Sequence, residues 1–208
     1  SSLVTGVQTC ALPISFKVQN SHKVLFHAAA GGVGLIAGQW LKYIGAESIG
    51  TVGSDDKIKL AKDAGYDHVI NYNKSNFVEE VERITGGIGV DVAYDSVGQA
   101  TYPHTLSCLK KFGLFVSFGQ SSGIIKDIAM GDLAKNGSLY AQRPTLFDFI
   151  SSKESLKQVS ENMFKMLAEG HVKMHINQRY ALKDVPKAFE MLMARKTTGA
   201  TVFDVGRG

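Results

Sequence analysis

Cysteine is scarce in this sequence, and the scarcity excludes two kinds of small fold. Its two thiols, Cys10 and Cys108, are too few and too far apart for a disulfide framework or a zinc ribbon. Long hydrophobic runs are also missing, since no apolar stretch approaches the roughly 20 residues that span a bilayer. No charged segment precedes an apolar one as it does in a secretory signal peptide. We therefore expect a cytoplasmic protein without a membrane partner.

Runs of a single charge are absent as well. The formal net charge of +4 is spread over segments of mixed sign, and no basic stretch alternates with aromatic residues. Nucleic acid is therefore not an expected partner. With 208 residues, 44% of them apolar, the chain has enough length and apolar content for one sizeable core.

Residues 1–14 do not behave like the rest of the sequence. The run from Val4 to Ile14, VTGVQTCALPI, resembles the translation of a short-read sequencing adapter and joins abruptly to sequence typical of a protein interior. Our hypothesis is that 1–14 is an adapter-derived artefact. We leave it out of the fold prediction, as one does with an expression scar.

The most informative segment covers residues 24–44. The apolar run VLFHA leads into a glycine-rich turn, AAGGVG, and then into an amphipathic helix over 32–44. Gly31 lets the backbone approach a pyrophosphate, Gly34 lets the helix pack close to the strand, and the N–H groups at the helix start attract phosphate. Ala29 stands where the motif usually has its first glycine. A second strand over 48–52 completes a βαβ unit, which favours a dinucleotide site over an ordinary glycine turn.

Strands and helices alternate as far as residue 142, which predicts a parallel sheet. The predicted strands are 24–28, 48–52, 68–71, 90–95, 112–118 and 138–142. The predicted helices between them are 32–44, 55–64, 76–85 and 102–110. The expected fold is an α/β, doubly wound, six-stranded parallel Rossmann sheet that binds its ligand at the carboxyl ends of the strands.

Beyond residue 144 the alternation stops. There we predict helices at 146–150, 152–169 and 184–195, an irregular stretch at 175–182 and a last strand at 200–205. We therefore divide the chain into a dinucleotide-binding domain, 15–150, and a C-terminal segment, 151–208. A last strand needs a partner sheet, so we expect this helix and strand tail to belong to an N-terminal domain outside this sequence.

The end of the second strand predicts which dinucleotide binds. NAD sites usually carry an acid about 20 residues after the glycines, whereas Gly53 stands at this position. Lys57 is a nearby cation and Tyr72 a further donor, both suited to a 2′-phosphate. The sequence therefore predicts NADPH over NADH. The competing interpretation makes Asp55 or Asp56 the ribose acid, but we expect both to cap or start the following helix.

Seven motifs, in order and over residues 16–205, resemble the NADPH:quinone oxidoreductases, the zeta-crystallin-like, zinc-free branch of the medium-chain dehydrogenases and reductases. They are HAAAGGVG, TVGSDDK, VINY, YDSVG, FVSFGQSSG, SLYAQRP and ARKTTG. The resemblance implies hydride transfer from NADPH to a quinone or another activated alkene such as an enone. It implies a homodimer formed through the edge strand 138–142. It also implies a GroES-like N-terminal domain as the other wall of the active site, so that this chain alone would be an inactive fragment with a cofactor site.

The same resemblance assigns the residues of the cofactor site. Those implied at the pyrophosphate are Ala28, Gly31, Gly32, Val33 and Gly34. Those implied around the 2′-phosphate are Gly53, Lys57, Tyr72 and Arg195. Those implied along the adenosine and nicotinamide are Ser96, Phe118, Gly119, Gln120, Ser121, Pro144, Thr145 and Leu146. No catalytic residue is named, because the cofactor supplies the reactivity and the protein has to hold donor and acceptor together.

Other residues that could suggest chemistry have simpler interpretations. The histidines lack the paired spacing of a metal site, so no metal is expected. We expect His27 and Cys108 to be buried core residues. Four methionines on helical apolar faces are also assigned to the core: Met163, Met166, Met191 and Met193.

Two rival functions remain open at this point. The zeta-crystallin relatives include lens proteins and RNA binders that keep the NADPH site, so a non-catalytic NADPH-binding protein is the alternative. A methyltransferase that uses S-adenosylmethionine would have an acid at the second strand's end, which Gly53 disfavours. The sequence does not distinguish quinone, enone and alkenal acceptors.

Overall fold

The computed structural model describes residues 15–194 and 196–206. The segment 1–14, with Cys10, and the implied site residue Arg195 lie outside the described residues. Six parallel strands form the main sheet, in the order β3-β2-β1-β4-β5-β6. They are β1 (Lys23–Phe26), β2 (Glu47–Val52), β3 (His68–Asn71), β4 (Val90–Asp95), β5 (Leu109–Ser117) and β6 (Tyr140–Gln142). The predicted doubly wound sheet is confirmed, and its strand order reverses between β1 and β4.

Helices connect the strands and continue into the C-terminal part. They are α1 (Gly32–Ile44), α2 (Asp56–Asp63), α3 (Phe77–Thr85), α4 (Tyr102–Leu106), α5 (Met130–Lys135), α6 (Leu146–Phe149), α7 (Lys153–Ala168) and α8 (Val185–Met193). In the part of the chain that the structure describes, no helix is long and apolar enough to cross a membrane.

The core lies on both faces of the sheet, as a parallel sheet requires. Successive residues of β1 are buried on opposite sides, with Leu25 in one apolar cluster and Phe26 in the other. Helix α1 packs very closely, because a Cβ atom on Gly38 would lie 2.6 Å from the ring of Tyr66. This packing holds the middle of α1 against the residue that leads into β3.

The boundary between α4 and β5 differs from the prediction. The helix ends at Leu106 and the strand begins at Leu109, so a helix as far as residue 110 is wrong. The pairing explains the error: β4 advances by two residues, from Val90 to Val92, while β5 advances from Leu109 to Leu114. The extra residues bulge out of the strand and break the apolar alternation that sequence analysis relies on.

The C-terminal part contains a strand that the sequence did not predict. Residues Ile176–Ala181 form β7, which pairs in parallel with β8 (Ala200–Asp204), so the expectation of an irregular stretch is wrong. The residues of β7 are exposed or half-buried, so its sequence lacks an apolar pattern. The last strand therefore has one partner inside this chain. A further partner in an N-terminal domain stays a prediction.

Candidate functional site

The glycine-rich turn joins β1 to α1 at the carboxyl edge of the sheet. Ala28 has a φ of 59°, in the left-handed region, and Gly31 donates its N–H to the Ala28 oxygen at 3.0 Å. A Cβ on Gly34 would lie 2.5 Å from that oxygen and 2.6 Å from the oxygen of Ala29. Only glycine therefore allows α1 to start this close to the turn. The first N–H groups of a helix have no acceptor within it, so this start attracts an anion.

A cleft of about 450 Å³ opens in front of this turn. Its lining residues are Ala28, Ala30, Gly31, Val52, Gly53, Lys57, Tyr72, Val97, Ser121, Leu192, Met193 and Thr197. Six of them are implied site residues, namely Ala28, Gly31, Gly53, Lys57, Tyr72 and Ser121. The turns after β1, β2, β3, β4 and β5 thus meet at one cleft, which is where an open α/β sheet binds its ligand.

The ends of β2 and β3 form one end of this cleft. A Cβ on Gly53 would lie 2.6 Å from the Tyr72 hydroxyl, so this hydroxyl lies directly beside Gly53. The turn is held by a hydrogen bond from Asn73 Nδ2 to the Gly53 oxygen at 2.6 Å. Lys57, in the first turn of α2, brings an ammonium group to the same end. A cation and a hydroxyl therefore line the place where the sequence predicts a 2′-phosphate.

Asp55 stands at the N-cap position of α2 but does not cap the helix. Its backbone is helical, with φ −67°, and its side chain makes no capping hydrogen bond. Its carboxylate instead accepts a hydrogen bond from Asn71 Nδ2 at 2.7 Å and pairs with the Lys74 ammonium. Hydrogen bonds from Lys74 and Asn71 lower the pKa of Asp55. The capping prediction is wrong for Asp55, whereas Asp56 does lie in the first turn, where a negative charge favours the helix.

The turn after β4 is organised by a buried carboxylate. Asp95 is fully buried and accepts hydrogen bonds from the N–H groups of Val97 and Gly98 at 2.7 and 2.9 Å. It also accepts one from the Thr101 hydroxyl at 2.7 Å. These three donors satisfy the buried charge, and they fix the turn that places Val97 in the cleft.

The turns after β4 and β5 touch each other. The Ser121 N–H donates to the Ser96 oxygen at 3.1 Å, and a Cβ on Gly119 would lie 2.7 Å from that oxygen. Phe118 packs into the core, with its ring 5.6 Å from that of Phe26. Of the implied residues on these two turns, the structure places Ser121 in the cleft wall and Ser96 directly behind it.

A second cavity, of about 380 Å³, adjoins this wall. Its lining residues are Phe115, Ser117, Gly119, Gln120, Ile124, Ile125, Ile128, Ala141, Gln142 and Arg143. Arg143 donates to the Ser117 oxygen at 2.9 Å. Among the described residues, no hydrogen-bond partner reaches the buried Oε1 of Gln142. The implied residues Gly119 and Gln120 thus lie here, and Pro144, Thr145 and Leu146 follow Arg143 in the chain.

Residues remote in sequence complete the cleft wall. Gly199, with φ 57°, donates its N–H to the Ala30 oxygen at 3.2 Å and forms a parallel bridge with Gly31. Thr197 and Met193 line the cleft nearby. Met193 is 82% exposed, so its assignment to the core is wrong, whereas Met163 and Met166 are buried as predicted. Helical spacing alone does not distinguish a methionine that packs from one that faces a cleft.

His27 lies behind the glycine turn as a core residue, as predicted. It is fully buried, and its two ring nitrogens hydrogen-bond the hydroxyls of Thr51 and Thr105, each at 2.9 Å. Burial lowers the pKa of His27, and the charge of Asp95 acts in the opposite direction. A neutral imidazole that gives one hydrogen bond and accepts another fits this place.

Cys108 is buried too, and burial raises the pKa of its thiol to about 12, which disfavours a reactive thiolate. Within residues 15–194 and 196–206, no cluster of three or more His, Cys, Asp or Glu side chains could hold a metal ion.

A third recess lies at the opposite, amino-terminal edge of the sheet. Its lining residues are Gly87, Ile88, Leu109, Lys110, Lys111, Lys135, Asn136 and Gly137. Lys110 pairs with Asp91, and Phe112, next in the chain to Lys111, is 67% exposed. Two lysines and an exposed aromatic ring therefore follow one another here, and the expectation that nucleic acid is not a partner stays a prediction. Three residues in the bulge of β5 were too short a run to stand out in the sequence.

The chain is similar in sequence to known reductases over most of its length. The chain is 48% identical over 190 residues to the quinone oxidoreductase of Salmonella typhimurium, covering 90% of this chain and 58% of the relative. It is 36% identical over 187 residues to the 2-haloacrylate reductase of a Burkholderia species, covering 89% of this chain and 56% of the relative. The chain thus spans less than two thirds of the length of these relatives.

A solved structure and a family model agree with these similarities. The Escherichia coli quinone oxidoreductase complexed with NADPH superposes with a TM-score of 0.93 at 43% identity, over 97% of this chain and 63% of that chain. The predicted resemblance to quinone oxidoreductases is confirmed. The model of the zinc-binding dehydrogenase family matches residues 32–168, which is more than half of the chain and contains α1 and the strands β2 to β6. The chain therefore belongs to the zinc-binding dehydrogenase family.

Proposed function

We propose that this chain binds NADPH in the cleft at the carboxyl edge of its sheet and serves hydride transfer to a quinone or another activated alkene. One observation carries the proposal: the glycine turn, Lys57 and Tyr72 line the same cleft. A pyrophosphate and a 2′-phosphate are the anionic groups of NADPH, and these two parts of the cleft suit them.

The residues present fit this cofactor. A Cβ on Gly31 would lie only 3.2 Å from the Ala28 oxygen, so glycine suits the tight turn at the helix start, where N–H groups without an acceptor in the helix attract phosphate. The position at the end of the second strand where NAD sites usually have an acid is occupied by Gly53. The carboxylate of Asp55, two residues further on, is bonded to Asn71 and Lys74. The cleft volume of about 450 Å³ lies in the range typical of ligand pockets.

The bound dinucleotide would supply a hydride from its nicotinamide ring. The chain's contribution is to hold that ring: the turn 118–121 and residues 144–146 would position it, while Asp95 keeps the neighbouring turn rigid. Close, oriented contact between donor and acceptor is the main requirement for such a transfer. No acid, base or metal is part of this mechanism, so we name no catalytic residue.

The acceptor is proposed from the second cavity and from the relatives. Phe115, Ile124, Ile125 and Ile128 give that cavity an apolar lining beside Gly119 and Gln120, which suits a planar, weakly polar molecule. The relatives are named for quinone and 2-haloacrylate, which are both electron-poor alkenes. We propose an acceptor of this chemical class.

Dimerisation and activity are proposed on separate grounds. β6 is an edge strand of the sheet and its Tyr140 is 62% exposed, which supports a homodimer through 138–142. A cytoplasmic location is part of the same proposal. Because the chain spans 58% of its Salmonella relative, we expect residues 15–208 to bind NADPH without appreciable turnover. Robust NADPH oxidation by these residues with any quinone would contradict that expectation.

A fluorescence titration tests the proposed function. Residues 15–208 are titrated with NADPH and, in parallel, with NADH, following nicotinamide emission and energy transfer from Trp40 in α1. We expect NADPH to bind at least tenfold more tightly, which is about 1.4 kcal/mol. Equal affinity for NADPH and NADH would refute the 2′-phosphate site and would still agree with a dinucleotide-binding fold. No binding of either by the folded chain would refute the proposal.

A second candidate function is single-stranded RNA binding at the third recess, which lies at the amino-terminal edge of the sheet. It is supported by Lys111 and Lys135 in the lining and by the exposed ring of Phe112, a combination that suits phosphate and a stacked base. A gel shift with single-stranded RNA tests it, with Lys111→Ala as the variant and Lys157→Ala, on the exposed side of α7, as the control. If both variants bind the RNA with equal affinity, the recess is excluded as the RNA-binding site.

A further inference from the structure

The turn after β3 holds an acidic residue of the turn after β2. Two groups bind the two carboxylate oxygens of Asp55: Asn71 Nδ2 donates to Oδ1 at 2.7 Å, and the Lys74 ammonium pairs with Oδ2. Asn71 is itself fixed, because its Oδ1 accepts the N–H of Asn73 at 3.0 Å. The carboxylate is thus anchored on the β3 side of the turn.

The position of Asp55 makes this anchoring matter. Asp55 lies between Gly53 and Lys57 in the chain, and both of these residues line the cleft. An acid near the end of the second strand is the group that usually binds the ribose 2′-hydroxyl of NAD. A free carboxylate at that place would repel a 2′-phosphate and accept a hydrogen bond from a 2′-hydroxyl. This chain therefore carries an acid two residues beyond that position, and its charge is bonded to Asn71 and Lys74.

We propose that Asn71 and Lys74 are positioning residues that set the preference for NADPH by bonding the Asp55 carboxylate, so that its charge is paired with these two groups and does not act on the 2′-phosphate. This inference rests on the proposed function, since it concerns which dinucleotide the same cleft takes. Lys74 acts through Asp55, whereas Lys57 lines the cleft itself. The lowered pKa of Asp55 agrees with a carboxylate that stays charged and bonded to these partners.

A cycle of substitutions in the same chain tests the proposal. The variants are Lys74→Met, Asp55→Asn and the two combined. Lys59→Met is the matched control, because Lys59 pairs with Asp63 on the exposed face of α2 and loses the same charge. The side chains of Lys74 and Asp55 are 67% and 54% exposed, so these changes leave the core intact. Dissociation constants for NADPH and NADH are measured for each protein by fluorescence titration.

We expect Lys74→Met to lower the preference for NADPH over NADH about fivefold to tenfold, the scale of one charge-assisted contact. The combined variant regains the preference, because Asp55→Asn removes the charge that would repel the phosphate. Lys59→Met leaves it unchanged. In the nucleotide-free protein, the pKa of Asp55 followed by NMR rises in Lys74→Met and stays the same in Lys59→Met, while both variants keep the Tm of the unmodified chain.

Two results would overturn the proposal. If Lys74→Met keeps the same preference as Lys59→Met, the anchoring has no role in cofactor choice. If the combined variant stays as unselective as Lys74→Met, Lys74 acts on the nucleotide directly and not through Asp55. Both results require NADPH binding by the unmodified chain, so they differ from failure of the proposed function, in which the unmodified chain binds no dinucleotide and the inference falls with it.

Discussion

Gly34 offers the sharpest test of how the glycine turn is built. In Gly34→Ala, the new Cβ would lie 2.5 Å from the Ala28 oxygen, 2.6 Å from the Ala29 oxygen and 2.7 Å from the Ala29 carbonyl carbon. All three are backbone atoms, so no side-chain rotation relieves the contact. The start of α1 has to move by roughly 1 Å to restore ordinary van der Waals distances of at least 3.4 Å.

The expected loss of stability is the difference between two effects. Alanine favours a helix over glycine by about 1 kcal/mol. Overpacking a close contact costs about 1–3 kcal/mol and occasionally more, and backbone contacts on three atoms place this site at the upper end or above. We therefore expect Gly34→Ala to lower the free energy of unfolding by about 2 kcal/mol. For a chain of this length, that corresponds to a fall in Tm of about 4–8 °C.

Gly131 provides the control. It lies in α5, and a Cβ placed on it meets nothing within 4 Å, so Gly131→Ala should raise the stability by about 0.5 kcal/mol. Thermal and urea unfolding followed by circular dichroism compare the two variants with the unmodified chain. If both variants have the same stability, close packing at the glycine turn is refuted as the reason for Gly34. The shift of α1 should also weaken NADPH binding in Gly34→Ala.

Three further predictions concern the cleft and the residue behind it. Lys57→Ala should weaken NADPH binding by about 1–3 kcal/mol and leave NADH nearly unchanged, and equal losses for both dinucleotides would contradict the 2′-phosphate assignment. In Gly53→Ala, the new Cβ would lie 2.6 Å from the Tyr72 hydroxyl, so the substitution displaces only the end of that side chain. Tm should therefore stay within about 2 °C while NADPH affinity falls. A large fall in Tm would show that the turn itself is disturbed. Burial lowers the pKa of His27 below the 6.5 of an exposed histidine, so the unfolded chain binds the proton first and stability falls as the pH drops below 6.5. His27→Gln should make this fall shallower by up to about 1.4 kcal/mol per pH unit in urea unfolding between pH 7.5 and 5.5, and parallel curves would exclude His27 as the cause.

The sequence predicted the sheet well because buried parallel strands carry strong apolar runs. β2, β3 and β4 lie within one residue of their predicted bounds, since each is short, apolar and followed by a polar turn. β7 was missed for the opposite reason: it is mostly exposed, and its sequence, INQRYA, shows no alternation of apolar and polar residues that would indicate a strand. The bulge of β5, with Phe112 at φ 62°, depends on pairing with β4, which no local pattern encodes.

Part of the candidate site was predictable, and the rest depends on long-range contacts. Gly31, Gly53 and Lys57 follow strands directly, so the rule for strand ends identifies them. Leu192 and Thr197 line the cleft from the far end of the chain, where the resemblance implied Arg195 as a site residue but neither of these two. Asp55 shows a further limit of sequence analysis. Its N-cap position was predicted correctly, but its carboxylate is bonded to Asn71 and Lys74, at and after the end of β3, and no local pattern indicates these partners.

The bridge between Gly31 and Gly199 has a consequence for how the protein is made. A ribosome delivers the glycine turn early and Gly199 near the end of this sequence, so a nascent chain has its first strands long before the outer wall at Thr197 exists. Nucleotide binding in the complete cleft would therefore require synthesis to have passed Gly199. A product cut before Thr197 keeps the strands of the main sheet but lacks this wall. Bound NADPH would therefore protect chains that contain Thr197 from proteolysis and leave chains cut before it exposed.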